Sequence, residues 1–220
     1  MNFSNETLRL KFRNDIYLPL TWKWRRKNLT TCDFTIISNN CWGGTVYESY
    51  GLKKASPTVG MFIMPADYLK LISNLKYYVN QPLEFISPEE SKWKSLLEKK
   101  SNWKTYLIAR LDDIELHMLH HHDEKTAREK WEKRIDRINW DKLIFKFNDQ
   151  NGATREDIEK YLEIPLKNKL CFAAKKEMKI DSRVILIKQP GDTSGGIKAS
   201  REPFGKSKYL DLTEYINNIL

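Results

Sequence analysis

The chain has 220 residues, 40% of them hydrophobic and 12% aromatic, and carries a formal net charge of +9. That is enough for one sizeable core, or a main domain with a small annex, and no run approaches the roughly 18 consecutive apolar residues of a membrane-spanning helix. Charges at Glu6, Arg9, Lys11 and Arg13 break any secretory signal core. Cys32, Cys41 and Cys171, odd in number and without a CxxC, predict neither a disulfide framework nor a cysteine-rich zinc site, so a reducing cytoplasm is the expected setting.

Residues 1–31 read as a basic leader. Within residues 1–30, Arg9, Lys11, Arg13, Lys23, Arg25, Arg26 and Lys27 stand against Glu6 and Asp15, interleaved with Phe3, Phe12, Tyr17, Trp22 and Trp24. Cations mixed with amphipathic rings suit an anionic membrane surface, with residues 1–28 as the contact. A solvated arm whose tryptophans pack on the domain is the alternative. Nucleic acid is not favoured, since no binding motif accompanies the charge. Pro19 is expected to limit any long helix here.

The remainder, 32–220, reads as one α/β domain. Segment 33–38 is an apolar, β-branched run and predicts a buried strand. Residues 39–44 are expected to turn, 45–52 to form a helix, and 58–63 a second strand. Pro65 opens a helix over 65–79, with Tyr68, Leu69, Ile72 and Leu75 at helical spacing. A strand at 83–86 and a polar helix at 88–100 follow. Two β-like runs, 106–111 and 114–119, flank Asp112 and Asp113. The clearest helix is 124–139, with Asp123 as its cap. Then come strand 142–147, helix 155–162, strands 169–173 and 184–188, a Gly-rich loop at 190–196 and a helix at 212–220. This alternation predicts a mostly parallel, Rossmann-like sheet with helices on both faces, and a small second subdomain is allowed. Ligands of such sheets bind beyond the carboxyl ends of strands.

Three segments sit where that rule points. Ser38-Asn39-Asn40-Cys41-Trp42-Gly43-Gly44 offers two glycines for a tight turn or close approach, and two amides that both donate and accept. A helix start supplies free N–H groups there, and Trp42 offers a stacking surface. Cys41 is a candidate nucleophile if a histidine assists it; a small buried thiol is the alternative. The second segment holds Asp112, Asp113 and all four histidines, His117, His120, His121 and His122. Asp113, Glu115 and His117 would share one face of a strand. Acid–histidine pairing suits general acid/base work, with Asp113, His120 and His121 as candidates. A divalent metal is possible there but not favoured, because the spacing matches no ligand signature. The third segment is the helix 124–139, where Lys130, Arg134 and Arg137 form one stripe able to clamp a diphosphate. Pairing of that stripe with Glu129, Glu132 and Asp136 is the alternative. Asp149, at a strand end, is placed to contact a ligand.

The strings IISNNCWGG, SPTVGMFIMPADYLKLISNL, LDDIELHMLHHHDEKTAREKWEKRIDRIN and LIFKFND, in that order, resemble the bacterial family catalogued as a domain of unknown function, number 1919. Its members are often labelled exopolysaccharide biosynthesis proteins. The resemblance runs from about Asp33 to Ala174, and Asn39, Asn40, Cys41, Trp42, Gly43, Gly44, His120, Trp131, Arg134 and Arg137 match its pattern. It implies an α/β fold and a part in making surface polysaccharide, without assigning roles to residues. Together with the candidate sites it leads to the expectation of a glycosyltransferase at the inner face of the cell membrane. That enzyme would take a nucleotide-sugar donor and a glycan or lipid-linked glycan acceptor, and no cofactor is firmly predicted. A Cys/His acyltransferase or hydrolase, and a non-catalytic glycan-binding or scaffolding subunit, are the alternatives.

Overall fold

The computed structural model describes residues 5–99 and 102–220. Phe3 of the leader and Lys100 at the end of the expected helix 88–100 lie outside them. The chain opens with helix α1 (Asn5–Phe12), a π-helical stretch (Arg13–Tyr17) and α2 (Leu18–Arg26). Phe12 and Leu18, at the junctions, keep right-handed helical backbone, so the three pieces form one rod. Pro19 does not end it. The ring falls in the first turn of α2, where a missing N–H costs least, directly after the wider π turn.

Next come β1 (Thr35–Ser38), α3 (Trp42–Ser49), β2 (Phe62–Ile63), α4 (Pro65–Ser73), α5 (Leu75–Val79) and β3 (Glu84–Ile86). A 3-10 turn (Pro88–Glu90) and α6 (Lys94–Leu97) lead to β4 (Leu107–Leu111), β5 (Ile114–Met118) and α7 (Glu124–Ile135). The chain finishes with β6 (Leu143–Asn148), α8 (Arg155–Glu163), β7 (Lys169–Ala173), β8 (Val184–Leu186) and α9 (Leu212–Ile219).

The protein is α/β, but the strands divide evenly between two sheets. One is wholly parallel, in the order β1-β6-β7-β8; the other is antiparallel, in the order β2-β5-β4-β3. The expectation of one mostly parallel sheet is corrected to that extent. The Ile63 N–H donates to the Asn39 carbonyl at 3.0 Å, linking the end of β1 to the second sheet. Strands covered on both faces read as near-continuous apolar runs, as TIIS, LIFKFN and KLCFA do. One face of the parallel sheet, with Ile37, Phe145, Phe147 and Cys171, packs on α4, α8, α7 and the second sheet. The other, with Ile36, Ile144, Leu170 and Phe172, packs on α3 and α9. The period of two therefore turns Lys146 and Asn148 toward α3.

Several elements differ from the sequence expectation for visible reasons. Helix α3 starts at Trp42 and takes in both glycines. An ideal Cβ on Gly43 would sit 3.2 Å from Ser38 Oγ and 3.3 Å from Ile36 Cγ2, and one on Gly44 3.1 Å from Val59 Cγ1. They serve close helix packing rather than a turn. The expected helix 65–79 breaks at Asn74. Over the described residues 88–99 the expected helix is broken between the 3-10 turn and α6, where two buried carboxylates hold the chain. Glu115 accepts from the Ser91 hydroxyl (2.5 Å) and the Lys92 N–H (2.9 Å), while Asp67 accepts from Lys92 Nζ (2.6 Å) and Trp93 Nε1 (2.7 Å). Asp123 caps α7 as expected, accepting from the Thr126 N–H at 2.8 Å.

Candidate functional site

The bend after β1 is organised from inside. Asn39, Asn40, Lys146, Asn148 and Glu202 are all buried. Asn39 donates to Asn148 Oδ1 at 2.8 Å, and Asn40 Nδ2 donates to Gln150 Oε1 (2.8 Å) and Glu202 Oε2 (2.9 Å). Asn40 Oδ1 accepts from Lys146 Nζ at 2.9 Å and from the Trp42 N–H at 3.1 Å, fixing the first turn of α3. Lys146 and Glu202 form an ion pair out of contact with solvent. Burial lowers the Lys146 pKa, and the Glu202 charge opposes that shift. The Asn40 amide and the Asn39 N–H₂ group thus spend their hydrogen bonds inside the protein, while Asn39 Oδ1 is buried without a partner among the described residues. Trp42 is also not an open stacking surface. Its indole is buried edge-on to Phe172 at 5.5 Å and donates to the Pro203 carbonyl at 2.7 Å.

What this framework presents is Cys41 and the first turns of α3, and around them the predicted groups converge. A cavity of about 600 Å³ is lined by Cys41, Gly44, Thr45, His120, His121, Lys130 and Arg134, with Arg13 and Asn14 from the N-terminal rod. A second cavity of about 450 Å³ lies across Cys41, Leu119 and Ala199, which border both. Its walls are mostly apolar: Phe62, Met64, Leu96, Leu97 and Tyr106. The two halves differ in character. Lys130 is exposed at the rim, and Arg134 Nη1 donates to the Val59 carbonyl at 2.7 Å while burial lowers its pKa. Among the described residues neither is ion-paired with a carboxylate; Lys54, also on the wall, pairs with Glu48 at 2.7 Å. Arg137 points instead to the Lys54 carbonyl, at 3.4 Å, outside the lining.

The histidines separate. His121 is buried, and its Nδ1 lacks a hydrogen-bond partner among the described residues. Burial first, then the neighbouring charges of Arg134 and Lys130, lowers its pKa to about 4, so the imidazole is neutral at pH 7. His120 is exposed at the cavity wall, its N–H donating to the Gly60 carbonyl at 3.1 Å. His117 is inside the second sheet, stacked on Phe62 at 4.5 Å. The Cys41 thiol is pushed up to about 11, mainly by burial, and lies 3.6 Å from the Met61 carbonyl as a donor. That holds it as a thiol, not a thiolate.

Two candidates lie elsewhere. Asp113, at the β4–β5 turn, bonds Lys70 Nζ (2.5 Å) and the Tyr78 hydroxyl (2.9 Å). It borders a different, open cavity of about 710 Å³ between α4, α5 and α8. Asp149 is fully buried and accepts three main-chain N–H groups: Ala174 (2.8 Å), Lys175 (2.9 Å) and Ile197 (2.7 Å). Fully buried and held by those amides, the carboxylate organises loops and lines none of the three cavities. Among the described residues no group of three or more His, Cys, Asp or Glu side chains gathers to hold a metal ion.

The sequence profile of the family described as Domain of unknown function (DUF1919) matches residues 15–219. The chain belongs to this family. An uncharacterized protein of Haemophilus influenzae is 33% identical to the DUF1919 chain over 150 residues, a match spanning 68% of this chain and 66% of the relative. The family span exceeds the 33–174 of the sequence resemblance and takes in Ala199 and Glu202, which complete the cleft. Sequence reasoning passed over Lys146 and Glu202. A lone lysine inside the strand LIFKFN was the available signal, because a cation there requires a buried partner. Nothing in the irregular segment around Glu202 marked it as that partner.

Proposed function

We propose that this DUF1919 protein is a glycosyltransferase-like enzyme of bacterial surface polysaccharide biosynthesis, cytoplasmic and acting on a nucleotide-sugar donor. The observation that carries the reading is the pair of cations, Lys130 and Arg134, on the wall of the cavity that opens at the start of α3, without carboxylate partners among the described residues. An anionic group seated there meets those cations and the helix N-terminus together. The diphosphate of the donor takes the cationic half, and the acceptor, a glycan or lipid-linked glycan, takes the apolar half beyond Cys41. As the bond from the sugar carbon to the diphosphate oxygen breaks, Lys130 and Arg134 collect the charge that develops on the leaving group. His120 receives the proton of the acceptor hydroxyl, and the neutral His121 offers Nδ1 as a hydrogen-bonding site. A ligand in this place lies beyond the carboxyl end of a parallel strand, as in Rossmann-like proteins.

Cys41 divides the two halves, which suits the alternative of a thiol acyltransferase or hydrolase. Its raised pKa weighs against that alternative. A non-catalytic glycan-binding subunit would show affinity without turnover. Titration calorimetry of the full chain against nucleotide sugars, free nucleotides and acyl-coenzyme A separates the readings. A nucleotide sugar is expected to bind, and Lys130→Ala, an exposed change, to weaken it by at least about tenfold with the melting temperature unchanged. Failure of every nucleotide sugar to bind, or binding of acyl-coenzyme A alone, would refute the proposal.

A further inference from the structure

We propose that the N-terminal rod lies flat on an anionic lipid bilayer and seats the protein there with the cleft beside the surface. Five large apolar side chains, Leu8, Phe12, Ile16, Leu20 and Trp24, are between 47% and 77% exposed along it. They recur every four residues. In a pure α-helix that spacing overshoots one turn by about 40° per step, and the wider π-helical turn at Arg13–Tyr17 takes up part of the drift. The result is a ridge rather than a scatter of rings.

Among the described residues the ridge stays exposed because the rod docks by another side. Leu18 is buried, and Arg25 donates from Nε to the Ser49 carbonyl at 2.6 Å. Trp22 lies over Gly51, whose backbone (φ +60°) and lack of a Cβ admit the indole. With one side fixed to α3, the apolar ridge is held outward in defined geometry.

Charge selects the occupant. Arg9, Lys11, Lys23, Arg26 and Lys27 are exposed on or just beyond the rod, with Asp15 the one exposed acid among residues 7–27. A second copy would bring two cationic flanks together across a narrow apolar line, which like charges oppose. An anionic bilayer answers both features: the ridge enters the boundary between headgroups and acyl chains, and the cations meet lipid phosphates. Trp24 and Tyr17 suit the headgroup level. Leu10, Arg13 and Asn14 of the same rod line the cationic cavity, so this seating brings its mouth to the surface.

The test is flotation of the full chain with vesicles rich in phosphatidylglycerol and, in parallel, vesicles of phosphatidylcholine alone. Flotation with the anionic vesicles, reduced at high salt, is expected. Phe12→Glu combined with Leu20→Glu should lower the bound fraction by at least about tenfold. Both side chains are exposed, so the circular dichroism spectrum, melting temperature and nucleotide-sugar titration should stay as in the wild type. Lys23→Glu with Lys27→Glu should lower binding to the anionic vesicles in the same way. Absence of flotation, or equal flotation of wild type and the Phe12/Leu20 variant, would overturn the proposal. So would a concentration-dependent dimer that the same variant abolishes without any flotation, which would assign the ridge to a second copy.

Discussion

Replacing Glu202 with glutamine removes one charge and no atoms of bulk, yet the structure gives it a large cost. The Glu202 carboxylate accepts from Lys146 Nζ, from Asn148 Nδ2 at 2.7 Å and from Asn40 Nδ2 at 2.9 Å, all out of contact with solvent. A glutamine must point its N–H₂ group at one of those donors, and whichever way it turns it leaves the buried Lys146 ammonium without its paired carboxylate. Hydrogen bonds to charged groups contribute about 1.5–3 kcal/mol each, and stranding one member of a buried pair costs about 3–5 kcal/mol. For a chain of this length each kcal/mol lowers the melting temperature by roughly 2–4 °C, so E202Q should melt roughly 6–20 °C below the wild type. Lys146→Met should cost a similar amount. The double variant K146M/E202Q should lose much less than the sum, giving a coupling of at least about 2 kcal/mol in the cycle. Urea unfolding followed by tryptophan fluorescence, with calorimetry for the melting temperature, measures all four proteins. A loss below about 1 kcal/mol for E202Q, or simple additivity, would show that the pair does not organise the bend.

Two further outcomes follow from the site. In native protein at mildly alkaline pH, iodoacetamide should label the exposed Cys32, while Cys41 and Cys171, raised to about 11 and about 12 by burial, stay unlabelled until the chain is unfolded. Peptide mass spectrometry reads this directly, and rapid native labelling of Cys41 would restore the nucleophile reading. For His121, the folded pKa of about 4 lies below the usual 6.5. Between those values the unfolded chain takes up a proton that the folded chain does not, so stability falls as pH drops through the window. His121→Gln should remove this part of the pH dependence, on the order of 2–3 kcal/mol across the window. Wild-type and variant curves of urea midpoint against pH that run parallel would contradict it.

Much of the strand content was legible because parallel and two-sided antiparallel strands alike demand apolar, β-branched runs, as in 33–38, 106–111 and 142–147. Strand order was not. Pairing of β1 with β6 spans the whole second sheet, and no local pattern records a contact that distant in sequence. Gly43 and Gly44 were misleading in an instructive way. Adjacent glycines are a turn signal, but here they let a helix approach Ile36 and Val59 so closely that a Cβ would be crowded. The convergence of Cys41, His120, His121, Lys130 and Arg134 was foreseeable, since several of them follow strand ends or sit on the next helix. Asp113 failed the same logic because nearness in sequence is not nearness in space. The five residues of β5, at roughly 3.3 Å each, carry His120 to the opposite end of the hairpin.

Asp149 bears on why the cleft lies where it does. Main-chain amides from the loops after β7 and at Ile197 close on its carboxylate, and such amides are the groups with which α/β proteins hold a phosphate. The chain has in effect plugged the middle of its parallel sheet with an anion of its own. On the proposed reading, an outside ligand would find that berth already taken and would sit at the margin, alongside β1, where the second sheet supplies the missing wall.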